Sequence, residues 1–362
     1  MSTNSPSVTV RGRGATFNPQ HRFASHRSEP VDDGWYRDDG QAPARVTEVR
    51  EERARSLIVR NASPDPHFRQ SINPYRGCEH GCIYCYARPN HGYVGLSPGL
   101  DFESRLFARI DAAERLHQEL AAAGYRCEPI NVGSATDAYQ PIERRYGLTR
   151  ALIEVMAAHR QPFTIVTKSS LVERDIDLLG PLARDGLAAV YVTLTTLDAD
   201  LARRWEPRAA APWRRLQTMR RLREAGIPVG VALAPVVPFL NEPDIEQVLA
   251  QAREAGAQVA FYQVLRLAPE LRQLFVDWLG KHYPERARRV LRRLADMRGG
   301  DGRVRMDDSR FFARMTGQGG WAELVRLRFD LAVRRLGFDR NGLELRTDLF
   351  RGAHDDRQLG LF

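Results

Sequence analysis

The chain reads as an α/β protein built on a parallel sheet. Strand-like and helix-like stretches alternate six times between residues 71 and 267, and from about Pro269 the pattern turns mainly helical. A length of 362 residues supports a large buried core, with room for appendages. Six β/α units fit either a barrel or a doubly wound sheet. In both, chemistry belongs at the C-terminal ends of the strands.

The elements follow in order. Residues 1–60, rich in Ser, Pro, Gly, Asp and Arg, show little periodicity and predict an extended, partly disordered arm. Ser71–Arg76 is a short strand feeding a cysteine-rich loop. Ser104–Ala123 predicts a helix, with Leu106, Ile110, Ala113, Leu116 and Leu120 recurring on one face. Further strands are expected at Pro129–Ser134, Phe163–Thr167, Val190–Thr195, Val229–Ala234 and Gln258–Leu265. Helices fall near Leu148–His159, Leu171–Arg184, Trp213–Ala225 and Pro243–Ala255. The division is then an arm (1–60), a core (61–268), a helical C-terminal region (269–350) and a flexible tail (351–362). In the helical region, Leu271–Lys281, Pro284–Met297 and Gly320–Leu336 are the candidate helices, and Gly299-Gly300-Asp301-Gly302 is a loop.

Cysteine is rare, with four in the whole chain, yet Cys78, Cys82 and Cys85 lie within eight residues in a C-x3-C-x2-C pattern. Soft thiolates so crowded call for a metal or cluster. Three can hold three irons of a [4Fe–4S] cube and leave the fourth iron open. A structural zinc site is the alternative, with His80 or His91 as fourth ligand, although no second ligand pair follows downstream. A disulfide framework fits poorly.

This spacing, with several blocks that follow it, resembles the radical S-adenosylmethionine (SAM) superfamily, and within it the spore-photoproduct-lyase-like branch. The blocks are Gly133-Ser134-Ala135-Thr136-Asp137, Thr167-Lys168-Ser169, Trp205-Glu206-Pro207, and Ala225-Gly226-Ile227-Pro228-Val229 leading to Ala234-Pro235. The resemblance favours a partial (β/α)6 TIM-like barrel of the radical SAM type with a C-terminal helical extension. It implies a [4Fe–4S] cluster and SAM as cofactors. The reduced cluster would donate one electron to SAM, giving methionine and a 5′-deoxyadenosyl radical that abstracts hydrogen from a substrate. A flavodoxin- or ferredoxin-like electron donor would be a partner.

On that resemblance Cys78, Cys82 and Cys85 are the cluster ligands, and Tyr84 packs beside adenine or serves as core filler. Lys168 is placed to meet the carboxylate of SAM. It is one of two lysines, with Lys281, among 54 basic residues, so an ammonium rather than a guanidinium is wanted there. Thr136 and Asp137 could receive the ammonium of SAM. Thr193 and Thr195, two apart, share a strand face and would point hydroxyls inward; Arg208 is a further candidate for a cofactor contact. In the lyases a cysteine after the second strand returns hydrogen to the substrate radical, and Ser134 stands at that position here. A hydroxyl is a far poorer hydrogen donor than a thiol, so the same lyase reaction is not expected. Tyr139 could relay a radical or be a plain loop tyrosine.

The net charge of +9 reflects an arginine-dominated composition, which alone is weak evidence for nucleic acid. Two features nonetheless point to DNA. Arg286, Arg289 and Arg293, with Arg288 and Arg292 beside them, form a helical stripe that suits phosphates, and equally an ordinary solvated face. The terminal Gln358-Leu359-Gly360-Leu361-Phe362 resembles the pentapeptide by which bacterial repair proteins dock on the sliding clamp, with Leu359, Leu361 and Phe362 as anchors. The stretch could instead fold back on the barrel. No run suggests a signal peptide or membrane span, and an oxygen-sensitive cluster points to a cytoplasmic location. The expectation is thus a radical SAM enzyme acting on DNA or a nucleic-acid-related substrate. A clamp-recruited repair accessory with a structural Fe–S or zinc site, or an enzyme acting on protein, RNA or a metabolite, are the alternatives.

Overall fold

The computed structural model describes residues 12–23, 46–65, 68–299 and 310–352. The strands in chain order are β1 (Glu48–Glu52), β2 (Val59–Arg60), β3 (Gln70–Ile72), β4 (Tyr75–Arg76), β5 (Arg105–Arg109), β6 (Ile130–Val132), β7 (Phe163–Thr167), β8 (Ala188–Thr193), β9 (Val229–Val236) and β10 (Val259–Val264).

Six of them, β3, β6, β7, β8, β9 and β10, form one parallel sheet in that order, with β2 antiparallel on the β3 edge. The order runs from β2 to β10 without closing. This is the partial barrel expected. Each crossover carries a helix on the outside, where Ile165, Val190, Val192, Val229, Val231 and Leu233 pack into the main core with Leu152, Leu179, Met219 and Val248.

The other face of the same strands points inward. Register places Thr193, Ala232 and Phe261 in one layer, with Lys168 just past the end of β7, and Val166, Tyr191, Gly230 and Val259 in the layer below. Thr164, Val166, Lys168, Tyr191, Phe261 and Gln263 keep part of their exposure, so the interior is reachable from solvent. Gly230 leaves room there: a Cβ on it would lie 2.4 Å from the Tyr191 ring. Tyr191 meets Phe261 edge-on at 5.7 Å.

Two expectations change. The helix predicted over Ser104–Ala123 is broken: Leu100–Ser104 and Ala112–Leu120 are helical, and β5 lies between them. Burial alternates with a period of two across Arg105–Arg109, with Leu106 and Ala108 fully buried between half-buried neighbours, and Ile110, past the strand, is 45% exposed. The strand is claimed by two partners, β1 in parallel and β4 antiparallel. The first sixty residues also hold more structure than their composition suggested. Beyond β1 and β2, Leu57 is fully buried, and the backbone N–H groups of Leu57 and Ile58 each donate to the Glu119 carboxylate at 2.8 Å. Residues 1–11 and 24–45, and the loop from Gly300, lie outside the described residues.

Helices at Pro269–His282, Pro284–Asp296 and Gly319–Arg335 form the C-terminal extension. The expected phosphate-facing stripe is partly turned onto the protein. Arg286 donates to the Phe239 carbonyl at 3.2 Å, and the guanidinium of Arg289 stacks 3.9 Å from the Phe239 ring centre. That of Arg293 lies 4.6 Å from Trp321. Arg288 and Arg292 stay exposed. Residues 338–352 then cross the N-terminal end of the barrel. Asp339 bonds to Gln258, Arg346 to Gly186 and Arg351 to His159 through backbone N–H groups. Gln358, Leu359, Leu361 and Phe362 lie outside the described residues. No helix among those described is long and apolar enough to cross a membrane.

Candidate functional site

The cysteine loop sits over the C-terminal ends of the strands, between β4 and the Arg88–Val94 turn. Gly81 takes a left-handed φ of +67°, and a Cβ there would press to 2.8 Å from the Glu103 carboxylate. All three thiols are free, with Cys78 and Cys82 buried and Cys85 half-buried. Burial pushes Cys82 up to about 12 against the pull of Lys168, and raises Cys78 well above the ordinary thiol range. Such thiols release their protons to a metal rather than to water.

The loop is held by side chains that sequence reasoning did not single out. Arg88, fully buried, donates to the carbonyls of Cys82 (2.9 Å), Gly81 (3.1 Å), Pro98 and Gly99 (both 3.0 Å), and to Glu103. Glu79 accepts from Thr47 at 2.6 Å and Arg208 at 2.9 Å. On the other side the Trp205-Glu206-Pro207 block is a clamp: the Trp205 carbonyl accepts from Ile83 N–H at 3.0 Å. The Glu206 carboxylate accepts from the Tyr84 hydroxyl, from Thr195 at 3.0 Å and from Arg215. Arginine is so frequent in this chain that Arg88 and Arg215 carried no distinguishing signal. The Glu206 block did, without its role.

Several predicted residues take other parts. Asp137 does not wait for a ligand. Its carboxylate accepts from Tyr139 N–H (2.9 Å), Thr167 (2.7 Å) and Lys168 N–H (2.7 Å), and lies 3.3 Å from His80 Nδ1. Burial would raise its pKa, but His80 and these donors hold it down at about 2. It ties the loops after β6 and β7 to the cysteine loop. Thr136 donates to the Tyr75 carbonyl at 3.3 Å. Tyr139 lies in the turn after β6, but not as an exposed loop side chain. It is fully buried and donates to Asp175 at 2.9 Å, away from the inner face. Arg208 holds Glu79, and Thr195, just past β8, holds Glu206; Thr193 ends β8 with its carbonyl taken by Arg215 at 3.1 Å. Ser134 accepts from Asn73 at 3.0 Å.

Lys168 and Tyr84 come together. The Lys168 ammonium lies 5.9 Å from the Tyr84 ring centre, on the inner layer beside Cys82. Burial opposes its charge, but Cys82 and Glu206 outweigh that and raise its pKa. No side chain or carbonyl among the described residues takes a hydrogen bond from its Nζ, which leaves its donors for a ligand.

The donor set fits a cube better than one ion. Among the described residues, no three His, Cys, Asp or Glu side chains converge as they do on a single metal. Tetrahedral zinc draws its sulfurs to about 3.8 Å apart, whereas in a cube each thiolate binds its own iron. His80 is engaged by Asp137, and His91 Nε2 donates to the Arg105 carbonyl at 2.9 Å.

Fold and site define a radical SAM protein: the Radical SAM superfamily model matches residues 72–252, and the chain belongs to that family. It is therefore an enzyme of the class that uses a [4Fe–4S] cluster and SAM, with electrons from an external donor. Relatives include an uncharacterized protein of Mycobacterium tuberculosis strain H37Rv, 37% identical over 229 residues, 63% of this chain and 67% of that one. Another, from Methanocaldococcus jannaschii, is 28% identical over 230 residues, 62% of this chain and 80% of that one. Among solved structures, a tyrosine-to-phenylalanine variant of spore photoproduct lyase gives a TM-score of 0.55 at 15% identity, over 83% of this chain and 87% of that one. The same lyase complexed with dinucleoside spore photoproduct gives 0.53 at 16% identity, over 80% of each chain. At that identity the likeness is one of fold.

Proposed function

We propose that this radical SAM enzyme abstracts hydrogen from a nucleic-acid-derived substrate and does not return it through a thiol of its own. When bound, the cluster and SAM supply the 5′-deoxyadenosyl radical. The chain's residues do the rest: Lys168 pairs with the carboxylate of SAM, Tyr84 flanks it, and the inner layers below receive the substrate.

Position 134 carries the reading. Its serine hydroxyl accepts a hydrogen bond from Asn73, and no other thiol replaces the missing one. Three of the four cysteines belong to the cluster loop. The fourth, Cys127, lies beyond the opposite end of β6, with its sulfur 3.7 Å from Gln161 Oε1. The abstracted hydrogen therefore stays on 5′-deoxyadenosine, one SAM is consumed per turnover, and the substrate radical would close to product by passing one electron to the oxidised flavodoxin- or ferredoxin-like carrier and one proton to solvent.

A nucleic-acid substrate is supported by the fold shared with a lyase solved with a dinucleoside, by the Tyr191–Phe261 aromatic wall inside the barrel, and by the exposed Arg288 and Arg292. The clamp-like tail would bring the enzyme to DNA, and an acidic flavodoxin or ferredoxin would deliver electrons. The test is deuterium transfer from perdeuterated oligonucleotides to 5′-deoxyadenosine. Label is expected there, with 5′-deoxyadenosine and product rising together. Unlabelled 5′-deoxyadenosine, or an amount that never exceeds the enzyme, would overturn the proposal.

A further inference from the structure

Residues 12–23 lie far outside the family match, which begins at residue 72, yet they are built into the cysteine loop. Gly14 approaches so closely that a Cβ on it would sit 1.9 Å from the Gly81 carbonyl oxygen. Gly14 and Ala15 each donate a backbone N–H to Glu103, at 2.9 and 2.8 Å. Arg13, buried, donates to the Glu103 backbone carbonyl and to Thr47 at 3.0 Å, and Thr47 in turn holds Glu79. Ala15 is fully buried in the same apolar cluster as Cys82, Ile83 and Tyr84.

The chemistry of this contact is specific. Arg88 and Glu103 are both fully buried, and such a pair is tolerable only when its remaining hydrogen-bonding positions are filled. Loop carbonyls fill those of Arg88. The N–H groups of Gly14 and Ala15 help fill those of Glu103. Without residues 14 and 15, water would compete for Glu103, and the grip of Arg88 on Cys82 and Gly81 would loosen. Farther along, the segment is fastened at points remote from the cysteines. Asn18 and Asp101 exchange two hydrogen bonds of 3.0 Å, Ser97 donates to the Pro19 carbonyl at 2.7 Å, and Arg22 pairs with Glu270 at 2.6 Å.

We propose that residues 13–22 form a strap that is part of the cluster-holding site, locking the cysteine loop through Glu103 and Arg88 so that cluster retention depends on it. These are positioning residues, which act on the cysteines through Glu103 and Arg88. The inference rests on the cluster but not on any substrate.

The test uses the full chain, reconstituted anaerobically, with iron release to a chelator followed by absorbance. The double variant N18A/R22A loosens the strap at its far end and leaves every residue that Arg88 and Glu103 hold in place. Gly14→Val attacks its near end. Both are expected to release iron about tenfold faster than wild type, the scale typical of groups that orient metal ligands. Melting of the iron-free double variant should stay near wild type, since Asn18 and Arg22 are exposed. Wild-type iron release in the double variant, or in any Gly14→Val protein that folds, would overturn the proposal. Faster release matched by an equal loss of iron-free stability would overturn it too, since the strap would then be ordinary packing. SAM cleavage failing in wild type with normal iron retention would count against the enzymatic reading and leave the strap standing.

Discussion

At the scale of single residues, Lys168 shows how composition can sharpen a signal. In a chain of 54 basic residues with two lysines, a lysine at the end of β7 stands out, and the structure puts its ammonium beside Cys82 and Tyr84. The same composition hid Arg88 and Arg215, whose fork geometry lets one side chain fix several carbonyls at once. Asp137 was legible as a site residue but not in its role, because only the fold shows four donors already converging on it. Lys168→Ala is expected to leave iron content unchanged and weaken SAM binding about tenfold, roughly 1.4 kcal/mol. Lys168→Arg should not restore it, because a planar fork is a poor substitute for a compact ammonium there. Calorimetric titration of the reconstituted variants checks this, and unchanged affinity removes the assignment.

At the scale of elements, the core strands were readable because each is a short, mostly apolar run separated from the next by a helical stretch. The stretch at 104–109 was misread because Leu106 and Ile110 also satisfy a helical period. Its neighbours β1 and β4, remote in sequence, decide the matter through the backbone bonds they offer. His91 reports on the same junction. It lies in the Arg88–Val94 turn, donates to Arg105 in β5, and is buried edge-on against Phe102 and Phe107. Burial lowers its pKa to about 4. The unfolded chain takes up the proton near 6.5 and the folded one only near 4, so its full stability is present above 6.5 and is lost as pH falls toward 4. About 3 kcal/mol is at stake over that window. Urea unfolding of the iron-free protein between pH 7 and 4 should show this loss, and His91→Gln should flatten it. An equal pH slope in both proteins would contradict the assignment.

For the whole molecule, an open six-strand barrel presents a cysteine loop over the C-terminal ends of its strands, with the C-terminal chain crossing the opposite end. The alternating pattern foresaw a parallel α/β sheet, and the resemblance carried by the cysteine spacing and the blocks after it chose the open barrel over a doubly wound sheet. The strap at residues 12–22 was not foreseeable, because its hold depends on close backbone approach at Gly14 and leaves no periodicity to detect. The measurement that bears most directly on the central claim is SAM turnover by protein reconstituted without oxygen and then reduced. A [4Fe–4S] spectrum with release of methionine and 5′-deoxyadenosine is expected, and Cys82→Ala should abolish both. Stoichiometric zinc in the wild-type protein, with SAM intact after reduction, would contradict it.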